Sequence, residues 1–419
     1  MSKLFKYAFS DLYDISSGIS STKEQAGHGT PFASFRTVFN NIFLPDKLPD
    51  LMEVSEKEQE IYSIKKGDIL ITRTSETVDE LAMSCVALKD YPHATYSGFV
   101  KRLRPKTAGI VYDRFMAFYL RSKYFRKVIE CNTIMTLRAS FNEDMFSFLD
   151  LYLPDYETQK KVGDLLYHME RKIECNARIN DNLQQQLRLL YDYWFTQFDF
   201  PDENGKPYRS SGGQMVWNYQ LKKYIPKSWH CALLRDVLKQ TGTGINNVKG
   251  KEHLFYTPVD IIPQRTISFA GGLDALKANS SLQLYEKDDI LLGAMRVYFH
   301  RVCIAAQNGI TRTTTMILKP VNGENYLGYA YSVLNDDRTI LYANQNSSGT
   351  QQPYINWNDA LEKYPFAAPD DQNLMLKYSQ LVRPLIKEAQ TRSLENCQLQ
   401  KLRDWLLPML MNGQATISD

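Results

Sequence analysis

The chain has 419 residues, 43% of them apolar and 23% charged, with a formal net charge of +3. That length exceeds what one compact core organises, so two or more domains are predicted, with a composition ordinary for a soluble globular protein. A net charge so close to zero excludes a uniformly basic binder, and any nucleic-acid contact must come from local patches.

No apolar stretch is long enough to span a bilayer. The opening Met1-Ser2-Lys3-Leu4-Phe5-Lys6 lacks the apolar core and small-residue cleavage site of a secretory signal, so a cytoplasmic location is expected. The six cysteines (Cys85, Cys131, Cys175, Cys231, Cys303, Cys397) form no C-x-x-C pair, as expected of reduced thiols. The six histidines are isolated, none three or four residues from another, so no zinc site is expected.

In chain order, Asp11-Leu12 and Ser17-Gly18-Ile19 come first, followed by Lys66-Gly67-Asp68-Ile69-Leu70, which opens a β-rich run from Ile69 to Thr72. An aromatic helical segment covers Tyr112 to Val128, and Leu151-Tyr152-Leu153-Pro154-Asp155 closes the first half. The same order then returns. Asp236-Val237 precedes Thr243-Gly244-Ile245, then come Lys287-Asp288-Asp289-Ile290-Leu291, the β-rich Met316 to Leu318, and Phe366-Ala367-Ala368-Pro369-Asp370. The offset is roughly half the chain, too long for a solenoid, so two copies of one α/β module are predicted.

Each half ends in a long helix that starts after a proline-aspartate pair. In the first, Val162, Leu166, Met169, Ile173, Asn176, Asn180, Leu183, Leu187, Leu190 and Trp194 alternate by four and three over about five heptads, the pattern of a coiled coil. The second seam is Leu374, Tyr378, Leu381, Leu385, Glu388, Arg392, Glu395, Leu399, Leu402, Leu406 and Met409, with Pro384 marking a kink or a break. Both seams are apolar at their ends and polar in the middle. Paired helices would align those polar positions in one register only, which specifies the pairing at some cost in stability. Between the first helix and the second module, Asp199 to Asn218 carries Pro201, Gly205, Pro207 and Ser210-Ser211-Gly212-Gly213 and reads as a linker or extended loop. The predicted boundaries are a module over 1–153, a helix over 154–198, a linker over 199–218, a module over 219–367 and a helix over 368–413.

Catalytic patterns are absent or poorly formed. There is no Pro-Pro for the Asn/Asp-Pro-Pro-aromatic motif of an adenine methyltransferase. Gly242-Thr243-Gly244 with Gly250-Lys251 is one residue too long for a phosphate loop, and Glu252 stands where a Ser/Thr is needed. Pro154-Asp155 with Glu170-Arg171-Lys172 fits a nuclease pattern in form, but Glu170 and Lys172 sit two residues apart on a helix and point away from each other. No catalytic residue is nominated.

Basic residues are concentrated instead. Thr95 to Val128 carries Lys101, Arg102, Arg104, Lys106, Arg114, Arg121, Lys123, Arg126 and Lys127 against Asp113 alone, with aromatics interleaved that read mostly as core. Leu292 to Pro320 carries Arg296, His300, Arg301, Arg312 and Lys319 with no acid. Such side chains neutralise phosphates, and arginines read guanine edges. The nominated DNA contacts are Lys101, Arg102, Arg104, Arg296, Arg301 and Arg312, with Arg73-Thr74-Ser75 after the first Lys-Gly-Asp element.

Three stretches carry a resemblance. Leu153-Pro154-Asp155-Tyr156-Glu157-Thr158-Gln159-Lys160-Lys161-Val162, then Ile173-Glu174-Cys175-Asn176-Ala177-Arg178-Ile179-Asn180, then Leu190-Tyr191-Asp192-Tyr193-Trp194-Phe195-Thr196-Gln197-Phe198-Asp199-Phe200 resemble the central helix of type I restriction-modification specificity subunits. Lys66-Gly67-Asp68-Ile69-Leu70 resembles an element of their target recognition domains. The resemblance implies an α/β fold class with two pseudo-repeated target recognition domains separated by two long antiparallel coiled-coil helices. It implies that each domain reads one half of a split double-stranded DNA site. A forty-residue helix is about 60 Å long, against about 34 Å for a DNA turn, so half-sites a turn apart are geometrically reasonable. It further implies two modification subunits carrying S-adenosylmethionine, restriction subunits using ATP and magnesium, and no cofactor or bond chemistry in this chain. A coiled-coil adaptor with two protein-binding modules, and a stand-alone nuclease, remain open as other readings.

Overall fold

The computed structural model describes residues 3–20, 22–77, 80–133, 139–279 and 281–417. They gather into two compact units, one of residues 1–171 with 400–419 and one of residues 172–399. Each unit holds one module and part of both long helices.

In the first unit, the module is closed at its base by Phe5–Ala8 paired antiparallel with Asp150–Leu153. Its main sheet runs Tyr13–Ser17, Val100–Pro105, Ile69–Thr72, Ser84–Val86, all antiparallel. Ile69, Leu70, Ile71 and Thr72 are all buried, because both faces of this inner strand are covered. The turn before the strand needs a left-handed residue, and Gly67 supplies it at φ +86°. Asp68 then fixes the strand start. Its buried carboxylate accepts the Lys65 amide at 2.7 Å and both Nε and Nη2 of Arg104, at 2.8 and 2.6 Å.

The second module repeats this plan with different residues. Trp229–Leu233 pairs with Pro365–Pro369 at the base. The sheet runs Leu238–Thr241, Thr315–Pro320, Ile290–Gly293, Val302–Ala305, Ser268–Phe269. Asp288 takes the left-handed position at φ +71°, and Asp289 accepts the Glu286 amide at 2.7 Å and lies 3.3 Å from Lys319 Nζ. Lys319 precedes the strand's closing proline, as Arg104 does in the first module. The repeat read from the sequence is therefore a repeat of backbone and of one ion pair.

The long helices span Tyr156–Tyr191 and Gln372–Met411. Asp155 starts the first by accepting the Thr158 amide at 3.0 Å, and Asp371 accepts the Asn373 amide at 2.8 Å in the second. They run antiparallel. In the second unit Ile173 meets Asn396 and Leu187 meets Tyr378, and in the first Glu170 pairs with Arg403 at 2.7 Å. The polar seam positions do meet. Fully buried Asn176 donates to Glu395 Oε2 and Asn396 Oδ1, both at 2.8 Å, and accepts from Arg392 at 3.3 Å.

Three expectations are corrected. Of the kink or break expected at Pro384 the break is excluded, since the second helix runs continuously through that exposed residue. Leu381 and Leu402, expected in the seam, are exposed, and the buried face runs Leu374, Tyr378, Val382, Ile386, Ala389. The helix is gripped from a second side, where Ser379 Oγ accepts the Tyr329 amide of the module helix Leu327–Leu334, so the buried stripe follows the straight helical period rather than a two-helix seam. The segment 199–218 is no extended linker. Phe198 and Phe200 are buried against Trp229, at 5.2 and 5.3 Å between rings, Asp199 holds Ser210, and Met215–Asn218 forms a hairpin with Lys223–Pro226.

Two substitutions on the second helix check this burial. Ile386→Ala should cost about 2–5 kcal/mol in denaturant unfolding of the full chain, whereas Leu381→Ala should stay within about 0.5 kcal/mol. Asn176→Ala, which strips three partners, should cost about 1–3 kcal/mol.

Candidate nucleic-acid interface

Most of the basic side chains nominated in the first module point into the fold. Val100–Pro105 is an inner strand whose residues 100–103 are buried on both faces, with Arg104 and Pro105 half-buried. Lys101 is buried with Nζ 3.1 Å from Glu143. Arg102 is buried, donates to the Ser63 carbonyl at 2.6 Å and lies over the Tyr96 ring. Arg104 is held by Asp68. Of the others in that basic run, Arg114 pairs with Asp164 at 2.7 Å, and Arg121 donates to four backbone carbonyls of residues 38, 39, 41 and 84, with burial lowering its pKa. In the second module Arg301 donates to the carbonyls of Asp260 and Ile262 and covers the Phe299 ring. In place of the expected free patch, Lys101 and Arg102 are buried, and the half-buried Arg104 and Arg301 are held by partners within the fold. Alternation along a strand does not reveal this, because an inner strand buries both faces.

The remaining nominees lie on matching loops. After the inner strand of the first module, exposed Arg73 donates its amide to the Phe99 carbonyl at 2.9 Å, and its carbonyl accepts the Phe141 amide at 2.8 Å. Thr74 and Ser75 pair with Ser140 and Ala139. In the second module the Ala294 amide donates to Thr314 at 2.9 Å, Ile355 donates to Ala294 at 3.1 Å, Met295 bridges to Tyr354, and Arg296 donates to Pro353 at 2.7 Å. By this register Thr74 matches Met295, Ser75 matches Arg296, and Ser97-Gly98-Phe99 matches Arg312-Thr313-Thr314. Arg296 and exposed Arg312 come from loops joined by Tyr354, whose hydroxyl reaches the Thr313 carbonyl at 3.3 Å. Each module therefore presents one cluster of polar and basic loop residues at the end of the same strand.

The second cluster contains a strained turn. Arg296 and His300 are both left-handed, at φ +50° and +52°, and bracket the turn Val297–Phe299. Tyr298 and Phe299 are exposed on it. His300 anchors it, buried, with Nε2 2.9 Å from Asn335 Oδ1. Burial lowers the His300 pKa below its ordinary 6.5, with the Arg265 charge acting the same way and the Asn335 bond and Asp337 opposing. Exposed aromatics on these loops, Phe99 above all, escaped the sequence reading. The available signal was the Ser97-Gly98 pair ahead of Phe99, turn residues at the mouth of an apolar strand.

The catalytic patterns stay unformed. Glu170 pairs with Arg403, and Lys172 lies 3.4 Å from Glu395, so both serve helix pairing. Glu252 folds back onto the Gly250 amide at 3.0 Å inside the glycine-containing loop. Among the described residues no group of three or more His, Cys, Asp or Glu could hold a metal ion, and no helix is long and apolar enough to cross a membrane.

Comparisons with known proteins place this geometry. The sequence model of the type I restriction modification DNA specificity domain matches residues 6–185, the first module with most of the first helix. The type I restriction enzyme MjaIX specificity subunit of Methanocaldococcus jannaschii is 23% identical over 95% of this chain and 89% of its own length. The HindI specificity subunit of Haemophilus influenzae is 30% identical over 40% of this chain and 36% of its own. Among solved structures, the type I restriction-modification S subunit of M. genitalium superposes with a TM-score of 0.60 at 14% identity, covering 98% of this chain and 96% of that one, which supports the fold.

Unfolding should respond to pH through His300. The unfolded chain takes up a proton near 6.5 that the folded chain refuses, so stability present above 6.5 is lost as pH falls below it. Thermal unfolding between pH 8 and 5.5 should show that loss, and His300→Asn, which tolerates the left-handed backbone, should flatten it.

Proposed function

We propose that the chain, which is similar to type I restriction-modification specificity subunits, acts as one of them and reads a split double-stranded DNA site, one half with each module, for partner subunits that perform the chemistry. The observation that carries the reading is the loop cluster built twice, at the end of the same inner strand, from residues suited to DNA. Arg73, Thr74 and Ser75 serve the first half-site, and Arg296 and Arg312 the second. Arginine reads guanine through two parallel hydrogen bonds or neutralises a phosphate, and the hydroxyls of Thr74 and Ser75 reach base edges or phosphate oxygens. Lys101, Arg102, Arg104 and Arg301 act indirectly, by keeping the loops' supporting strands in place.

In this reading the chain itself breaks and makes no bond and holds no cofactor. Two modification subunits bring S-adenosylmethionine and methylate adenine at N6, and restriction subunits bring ATP-driven cleavage with magnesium. The buried register of the long helices gives those partners a defined surface on which to assemble.

The test uses the complex of this chain with its modification subunits and a duplex carrying the methylated motif mapped in host DNA. Arg73→Ala and Arg312→Ala should each weaken binding by about 1–3 kcal/mol. An arginine that neutralises a phosphate lowers the salt dependence by about one unit for all sequences when it is replaced, whereas replacing one that reads a base relaxes one position of the motif. Arg104→Ala should lower the unfolding midpoint and leave the salt dependence alone. Unchanged affinity and motif in both loop variants would sink the assignment.

A further inference from the structure

We propose that Phe99 is an apolar wedge that presses into a base step of the first half-site. The inference rests on the reading of the loop cluster as the DNA-facing surface and adds a distortion of the duplex to it.

The ring is 63% exposed, at the foot of the loop that bears Arg73. What singles this ring out from other exposed apolar side chains is its place in the loop cluster, next to Arg73 in the backbone pairing. Beneath it the backbone is rigid. The Ser97 amide donates to Ala33 at 3.1 Å, Gly98 to Ile19 at 2.7 Å, and Val100 to the Ser97 carbonyl at 2.9 Å. The Phe99 amide is held by Ser97 Oγ at 3.2 Å, and its carbonyl by Arg73 at 2.9 Å. Two glycines permit this packing. A Cβ on Gly18 would lie 2.2 Å from the Ser97 carbonyl oxygen, and one on Gly98 would lie 3.0 Å from that of Ile19. A wedge must not give way when it meets stacked bases, and a turn pinned at every amide from 97 to 100 meets that requirement. Apolar side chains inserted in this way unstack a step and kink the duplex, and Arg73 beside the ring supplies charge for the adjacent phosphate or base edge. Thr314 occupies the matching place in the second module, which confines this device to one half-site.

The experiment uses the same complex and the mapped duplex, with 2-aminopurine placed in turn at each position of both half-sites. Binding by the wild-type complex should raise emission at one step of one half-site. Phe99→Ala should abolish that rise and weaken binding about tenfold, and an abasic site at the same step should restore most of the affinity. Gly98→Ala, which displaces the turn but keeps the ring, should also diminish the rise. The unfolding midpoint of Phe99→Ala should match the wild type, since the ring contributes little burial. The proposal fails if Phe99→Ala retains both the emission change and the affinity, if its weakened binding is not rescued by the abasic duplex, or if it fails to assemble with the modification subunits. A wild-type complex that does not distinguish the mapped duplex from a scrambled one overturns both this inference and the reading it rests on.

Discussion

Asn176 sits fully buried where two long helices cross, with one amide nitrogen shared between Glu395 and Asn396 and its oxygen facing Arg392. An apolar residue there would pack at least as well, so the asparagine is not explained by stability alone. It is explained by register. Sliding one helix by a turn would leave the buried Asn176 amide without its partners, at a cost of about 1–3 kcal/mol, whereas Arg392 would keep Glu388 and Glu395 of its own helix. The apolar ends of the seam supply adhesion in any alignment, and the polar middle rejects all alignments but one. Within the second unit, the pairing of the two helix segments takes its register from this choice.

A comparable economy operates inside the modules. An aspartate at the start of the inner strand takes a backbone amide from its own turn and a cation from the neighbouring strand, Asp68 with Arg104 in one copy and Asp289 with Lys319 in the other. The lysine lacks the arginine's two-pronged grip, and burial raises the Asp289 pKa against the opposing pull of Lys319. The two copies thus share a framework while their loops have drifted to different chemistry. Arg73, two hydroxyls and a phenyl ring make up one cluster, and two arginines with a strained aromatic turn the other.

The repeat, the α/β modules and the helix starts were legible because each has a local signature: a proline-aspartate pair, a Lys-Gly-Asp or Lys-Asp-Asp turn, a spacing of four and three. The polar middle of the seam was legible for the same reason. Which basic residues face solvent was not, since Lys101, Arg102 and Arg104 take their partners from Glu143, Ser63 and Asp68, far away in sequence. The fold of residues 199–218 was misread because Gly, Pro and Ser mark turns equally well in loose chain and in chain packed on Trp229. Leu381 misled because a leucine at seam spacing says nothing of a third neighbour, and the module helix at Ser379 shifts the buried face away from it.

The strand pairs at the base of each module have a consequence beyond closing a sheet. Phe5–Ala8 lies beside Asp150–Leu153, and Trp229–Leu233 beside Pro365–Pro369. Chain enters and leaves each module through neighbouring strands, about 4.8 Å apart. Each module is thus joined to the long helices at a single place, and a domain whose two ends adjoin is the kind that is tolerated as an insertion.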